Sequence, residues 1–364
     1  MRLGILGAGQ LGRMIALAGY PLGVRCQLLD PAPDTSASQV ASVISGRYDD
    51  PDMLDRLVTR LDAVTYEFEN VDIAAVEHLD GRVPVRPGRR ALEVAQDRLA
   101  EKSFFQDHDI ETPAFAPADT LDELRSAVAH VGLPAVLKTR RLGYDGKGQV
   151  VLREEVDIER AWELGGGVPL ILEAFVPFER ELSVLAVRGV DGDMGCYPVV
   201  ENHHVEGILT RSYAPASDLG PELEERARSY VRRLLTDLDY VGVLALELFQ
   251  AEGRLLANEI APRVHNSGHW TIEGAETSQF ENHVRAVLGM PLGSTSMRGH
   301  AAMVNLIGAL PTADQVLAHP HTHLHLYGKE PRPGRKVGHV TVRHDDPEVV
   351  RRTVERIRGL DGTL

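Results

Sequence analysis

Residues 244–260 run Leu244-Ala245-Leu246-Glu247-Leu248-Phe249-Gln250-Ala251-Glu252-Gly253-Arg254-Leu255-Leu256-Ala257-Asn258-Glu259-Ile260. Two apolar runs flank a polar turn at Gly253, the pattern of a β-hairpin. A hairpin symmetric about Gly253 sets Glu247 opposite Glu259, with both carboxylates on one face. Like charges placed opposite each other destabilise a sheet, and apolar surroundings raise that cost by removing water. Such a pair is expected where a cation sits between the carboxylates. With no His or Cys in the motif, the donor chemistry is that of Mg²⁺, which takes one or two carboxylates and completes its shell with substrate phosphates. The plain alternative is the solvated face of an edge hairpin. Strict alternation would turn Asn258 to the opposite face.

Upstream, Leu137-Lys138 closes an apolar run, and the loop Gly143-Tyr144-Asp145-Gly146-Lys147-Gly148-Gln149 follows. So many glycines cannot pack a core. They make a loop that can close over phosphates with its backbone N–H groups and Lys147. It is not the P-loop pattern, because no Ser or Thr follows Lys147. Alone it could be a flexible surface hairpin. Together with Lys138 and the paired carboxylates it points to nucleoside triphosphate chemistry.

At the N-terminus, Gly7-Ala8-Gly9-Gln10-Leu11-Gly12 matches GxGxxG between a strand and a helix, and Asp30 ends the next strand. The pattern belongs to dinucleotide sites. Its physical content is close backbone approach and N–H groups at a helix start that can receive an anion. A dinucleotide, another anion, or a tight strand–helix turn all fit it.

The chain has 364 residues, enough for two or three domains. Short apolar runs at 2–6, 24–29, 41–44, 63–68 and 82–85 alternate with helical patterns, which predicts a doubly wound α/β domain over 1–101. Mostly antiparallel strands and a long helix are expected over 102–295. A small β-rich domain is expected over 296–364. A net charge of −14 disfavours nucleic acid as a partner. Only Cys26 and Cys196 occur, without CxxC, which fits a reducing compartment. No signal peptide and no apolar stretch of about 20 residues is seen, so the expected location is the cytoplasm and no membrane partner is expected.

Lys138, the glycine loop, Glu173-Ala174-Phe175-Val176, Glu181 and the Glu247/Glu259 pair follow one another in the order of the ATP-grasp superfamily. More closely, the whole chain resembles the 5-(carboxyamino)imidazole ribonucleotide synthases of purine biosynthesis. The strings carrying this resemblance are Gly9-Gln10-Leu11-Gly12-Arg13-Met14, Tyr66-Glu67-Phe68-Glu69-Asn70, residues 143–149, and Asn258 through Trp270. The resemblance implies an N-terminal substrate domain, a central ATP-grasp domain with a mobile lid over about 113–180, and a homodimer. It implies ATP-dependent carboxylation of 5-aminoimidazole ribonucleotide with bicarbonate, by way of carboxyphosphate, with Mg²⁺ at Glu247 and Glu259.

By the same resemblance, Arg98, Lys138, residues 143–149 and His204 belong to the ATP site, with Asn258 and Glu259. Glu173 to Val176 would line the adenine, and Glu181 would take the ribose hydroxyls. Gln10, Leu11, Glu67, Glu69, Tyr144 and Asp145 would meet the ribonucleotide. Lys147, Arg263, His265 and Asn266 are the candidate catalytic groups, and Arg263, His265, Asn266 and Ser267 would orient bicarbonate or the carboxylated intermediate. Lys329, Arg335 and Lys336 would hold the substrate 5′-phosphate, against the alternative of a solvated basic loop. Leu142 and Ala8 stand where the family often has glycine. Other readings are a formate-dependent glycinamide ribonucleotide transformylase, biotin carboxylase, an NAD-dependent oxidoreductase built on the first glycine motif, and a non-catalytic nucleotide sensor. His319, His321, His323 and His325 alternate as a metal tract would. With no acidic or cysteine partner adjacent, they read as an exposed strand face.

Overall fold

The computed structural model describes residues 1–143, 148–165 and 167–363. The N-terminal region forms a parallel sheet from β1 (Arg2–Leu6), β2 (Arg25–Asp30), β3 (Ser42–Ser45) and β4 (Ala63–Tyr66), in the order β3-β2-β1-β4. Its strands are apolar because both faces are covered. Leu54, Leu57, Val76 and Leu79 pack on one face, with Leu6, Leu29 and Val64. On the other, Leu3 and Ile5 meet Met14 and Ile15 of helix Gln10–Gly19, and then Phe280 and Val284 of the much later helix Gln279–Val287. The strand expected at 82–85 is reduced to one bridge between Val64 and Val85. Pro84 has no N–H for a ladder, so only Pro84 O and Arg86 N bond Val64 there.

The next four strands, β5 (Phe115–Pro117), β6 (Ala135–Thr139), β7 (Gln149–Leu152) and β8 (Leu170–Ala174), form a separate antiparallel sheet in the order β5-β8-β6-β7. Leu124, Val128, Leu137, Ile158 and Leu172 give it a core of its own. The glycine loop joins β6 to β7.

All remaining strands belong to one sheet. They are β9 (Arg180–Arg188), β10 (Met194–Cys196), β11 (Val200–Val205), β12 (Ile208–Ala214), β13 (Gly242–Ala251), β14 (Arg254–Ala261), β15 (His300–Ile307), β16 (Thr322–Leu326) and β17 (Lys336–His344). The order is β14-β13-β9-β11-β12-β15-β17-β16, with β10 on β9. The C-terminal strands thus continue the central sheet through β12 and β15. Helix Pro221–Asp237 buries Ala227, Val231 and Leu234 against Leu244, Leu246 and Leu248 of β13. That leaves the alternate residues of β13, Glu247 among them, on the opposite face.

Candidate active site

The hairpin β13–β14 turns through Glu252 and Gly253, both with positive φ (51° and 71°), between the paired residues Ala251 and Arg254. This is the two-residue primed turn whose twist suits a hairpin. It also corrects the symmetry expected from the sequence. The turn is centred between Glu252 and Gly253, and the register it sets pairs Leu248 with Ala257. Continued without a break, that register would place Glu247 opposite Asn258. Instead a β-bulge intervenes, and Glu247 pairs with Glu259. A bulge sets two residues against one and lets neighbours share a face. Leu255, Ala257 and Ile260 all enter the core under helix Pro221–Asp237, while Asn258 and Glu259 both line the cleft. The carboxylates face each other as expected, and Asn258 joins them, contrary to the alternation rule.

Helix Arg98–Asp107 runs beside this edge, capped by Asp97, whose carboxylate accepts the N–H groups of Leu99 and Ala100. Its first turn aims Arg98 at Glu259, with Nη1 2.9 Å from Oε2. Burial alone would raise the Glu259 carboxyl, but Arg98 and Lys138 hold it below the usual carboxylate range. Glu247 goes the other way: burial and the facing Glu259 push it up. The two carboxylates are thus electrostatically opposed, and His265 Nε2 lies 3.3 Å from Glu247 Oε1. The N–H of Ser267 donates to His265 Nδ1 at 3.3 Å, so the neutral ring carries its proton on Nε2 and directs it at Glu247. Burial, with Arg263 near, keeps the His265 pKa well below its ordinary value. Asn258 Oδ1 is buried without a hydrogen-bond partner. Two facing carboxylates and an unsatisfied amide oxygen are hard oxygen donors, and they fit a Mg²⁺ ion. Among the described residues, no set of three or more His, Cys, Asp and Glu side chains is placed to hold a metal alone.

Across the cleft, Lys138 Nζ of β6 lies 3.1 Å from Glu173 Oε2 of β8. The fully buried Lys102 reaches the same oxygen at 3.2 Å. Burial opposes charge at Glu173, yet the two lysines and Arg98 draw its pKa down to about 2. Beyond Glu173 the wall continues through Ala174, Phe175 and Val176, with Phe178 stacked on Phe249 at 4.9 Å between centroids. Glu181 Oε2 pairs with His204 Nδ1 at 2.7 Å.

At the N-terminal end the first glycine motif proves to be otherwise engaged. Gly9 N donates to Glu67 Oε1, and Gly12 N donates to Glu67 Oε2 at 2.5 Å. Ala8 N donates to Asp30 Oδ2 at 2.9 Å. A Cβ on Gly9 would come within 2.8 Å of the Glu67 carboxylate, which is why the position is glycine. The N–H groups expected to receive an external anion therefore hold an internal one. Asp30, the ribose-binding position of the dinucleotide reading, is occupied too. Gln10 and Leu11 nevertheless line the cleft, and Gln10 Oε1 accepts a hydrogen bond from Lys329. Arg263 Nε meets Glu69 Oε2 at 2.5 Å. Asn266 and Asn305 exchange amide hydrogen bonds of 2.7 and 3.1 Å. Ser267, expected among the groups that orient bicarbonate, is fully buried and bonds His265 and Ser183, so it supports the imidazole from behind.

One cleft of about 1210 Å³ gathers these groups. Gln10, Glu67, Glu69, Arg98, Lys138, Gly143, Gln149, Glu173, Glu181, His204, Glu247, Asn258, Glu259, Arg263, His265, Asn266, Lys329, Arg335 and Lys336 all line it. Gly148 does not: its O accepts the N–H of Thr139 at the base of the β6–β7 turn. Tyr144, Asp145, Gly146 and Lys147 lie outside the described residues. Leu142 has φ +63°, a conformation glycine adopts freely. Sequence reasoning missed Glu101, Lys102, Arg140 and Arg332. Only Glu101 and Lys102 had a signal, since they stand three and four residues beyond Arg98 on one helix and so on the same face. The four alternating histidines do not share a strand face. Only His323 and His325 fall in β16; His325 is half-buried, stacked on His339 at 4.3 Å and 2.9 Å from Glu273, while His321 packs on His344.

Comparison with known proteins gives a consistent picture. The model of the ATP-grasp domain matches residues 103–280, that of the ribonucleotide synthetase preATP-grasp domain residues 1–96, and that of the phosphoribosylaminoimidazole carboxylase C-terminal domain residues 301–353. The N5-carboxyaminoimidazole ribonucleotide synthase of Pseudomonas aeruginosa is 52% identical over 360 residues, covering 99% of each chain. The crystal structure of the synthetase from Thermus thermophilus superposes with a TM-score of 0.96 at 54% identity, covering 100% of this chain and 99% of that one. The Aspergillus clavatus synthase, in complex with ADP and 5-aminoimidazole ribonucleotide, gives 0.91 at 30% identity, covering 98% and 97%.

Proposed function

The chain belongs to the N5-carboxyaminoimidazole ribonucleotide synthase family of ATP-grasp ligases, and on that premise we propose that it couples ATP cleavage to the N-carboxylation of 5-aminoimidazole ribonucleotide by bicarbonate. A bicarbonate oxygen attacks the γ-phosphorus and the bond to ADP breaks, giving carboxyphosphate. The substrate amine then bonds to the carboxyl carbon, either of carboxyphosphate itself or of the CO₂ released from it; in both cases phosphate leaves with the C–O electron pair, and the amine proton passes to a base or to solvent. The product serves de novo purine synthesis.

The observation that carries this reading is the pair of facing, oppositely perturbed carboxylates beside an unsatisfied Asn258 Oδ1, in a cleft that runs on to a basic C-terminal loop. Glu247, Glu259 and Asn258 would hold Mg²⁺. When bound, that ion withdraws charge from the phosphate oxygens. Arg98 and Lys138 would neutralise the same phosphates, Glu173 to Val176 would border the adenine, and Glu181 with His204 would face the ribose. Arg263, His265 and Asn266 would orient bicarbonate and the intermediate, together with Tyr144, Asp145 and Lys147 from the loop. Gln10, Glu67 and Glu69 would meet the ribonucleotide, whose 5′-phosphate suits Lys329, Arg335 and Lys336. Residues 113–180 would close as a lid and exclude water from carboxyphosphate. A cytoplasmic homodimer completes the proposal; no described helix is long and apolar enough to cross a membrane.

Phosphate release tests the reading. In bicarbonate buffer with ATP and Mg²⁺, 5-aminoimidazole ribonucleotide should stimulate it strongly. Indifference to that compound, with stimulation by glycinamide ribonucleotide and formate, would reject it.

A further inference from the structure

Asn258 and Glu259 enter the cleft as consecutive residues because the ladder breaks beside them, and such a break leaves backbone groups without strand partners. β14 is also the outer strand of its sheet, so no further strand covers its far side. The chain just before and after residue 105 does so instead. Ala257 N donates to Glu111 O at 2.7 Å. Lys102 Nζ donates to Ala257 O at 3.1 Å, and Ile260 N donates to Glu101 Oε1 at 2.7 Å. Two adjacent helical residues therefore tie down both ends of the segment that holds Asn258 and Glu259. Glu101 is 2% exposed and Lys102 fully buried. Lys102 also bonds Glu173, the partner of Lys138, so one side chain joins the bulge to the opposite wall.

We propose that Glu101 and Lys102 are positioning residues that hold the strand break in place and thereby aim Asn258 and Glu259 together at the cation end of the cleft. The proposal rests on reading Glu247 and Glu259 as the Mg²⁺ site. Without these ties the hairpin would follow the register of its own turn, set Glu247 against Asn258, and turn Glu259 toward the core. What Glu101 contributes is an acceptor for the Ile260 N–H. Burial and the neighbouring Glu259 push its carboxyl up to about 8. Glutamine offers the same acceptor; leucine offers none.

The test is ADP binding by calorimetry in EDTA and across a Mg²⁺ series, with amide hydrogen exchange over residues 257–260. Glu101→Leu should leave metal-free ADP affinity unchanged, raise the half-saturating Mg²⁺ concentration about tenfold or more, and speed exchange at Ile260. Glu101→Gln should match the wild type in all three. If Glu101→Leu does not fold, Glu101→Ala, which also lacks an acceptor, carries the same expectation. A wild-type Mg²⁺ midpoint in the variant, with lowered thermal stability alone, would overturn the proposal and leave the metal reading intact. A wild type whose ADP binding ignores Mg²⁺ would overturn the metal reading and the proposal with it.

Discussion

The β13–β14 hairpin and the Gly7–Gly12 turn both carry strong local patterns, yet they differ in how far the rest of the chain answers the groups those patterns expose. In the hairpin, two carboxylates face each other among apolar neighbours, and Arg98 satisfies only one of them. In the glycine turn, the anion that the N–H groups call for is already present as Glu67, a residue 58 positions along the chain. A motif advertises a site only while its polar groups lack internal partners, and those partners come from distant sequence.

The largest effect should come from Glu259→Gln. Removing one of the facing charges should lower ATP turnover by about a thousandfold or more, while the fold persists because the like-charge repulsion is relieved. Turnover within tenfold of wild type in a steady-state assay would mean that the hairpin, like the turn, satisfies itself.

Gly9→Ala probes the other region. Its Cβ would press on the Glu67 carboxylate at 2.8 Å, which should cost about 1–3 kcal/mol of stability. The KM for 5-aminoimidazole ribonucleotide should rise while that for ATP stays put. A rise confined to ATP would place the nucleotide, not the substrate, at the turn.

A smaller effect links the two regions. His283 accepts the Val243 N–H of β13 at Nδ1 (3.1 Å) and bonds Thr65 Oγ1 of β4 at Nε2 (2.8 Å). Burial lowers its pKa from 6.5 to about 4. A base held neutral in the fold stabilises fully above the unfolded pKa and loses that stability as pH falls from about 6.5 to about 4. Between pH 7.5 and pH 5 the wild type should therefore lose about 2 kcal/mol more than His283→Gln. Urea melts of both at the two pH values measure this, and parallel losses would show that His283 is not the pin.

The legible parts of the site were those whose chemistry is local. Glu247, Glu259 and Lys138 stood out because charges flanked by apolar residues need an explanation wherever the chain goes. The parallel and antiparallel sheets followed from apolar periodicity for the same reason. Asn258 was misplaced because its direction depends on a bulge tied down by Glu101 and Lys102, more than 150 residues earlier. Ser267 was misread because nothing in Asn266-Ser267-Gly268 tells that Ser183 and His265 absorb its hydroxyl. The histidines at 319–325 looked like a tract because strand alternation was extended past the ends of β16, which spans Thr322–Leu326.

A crystal of the protein with ADP and Mn²⁺, measured at the manganese absorption edge, tests the central claim most directly. The account predicts an anomalous peak between the carboxylates of Glu247 and Glu259, within reach of Asn258 Oδ1 and the nucleotide phosphates. ADP bound in the cleft with no peak there, or with the ion held elsewhere, would contradict it.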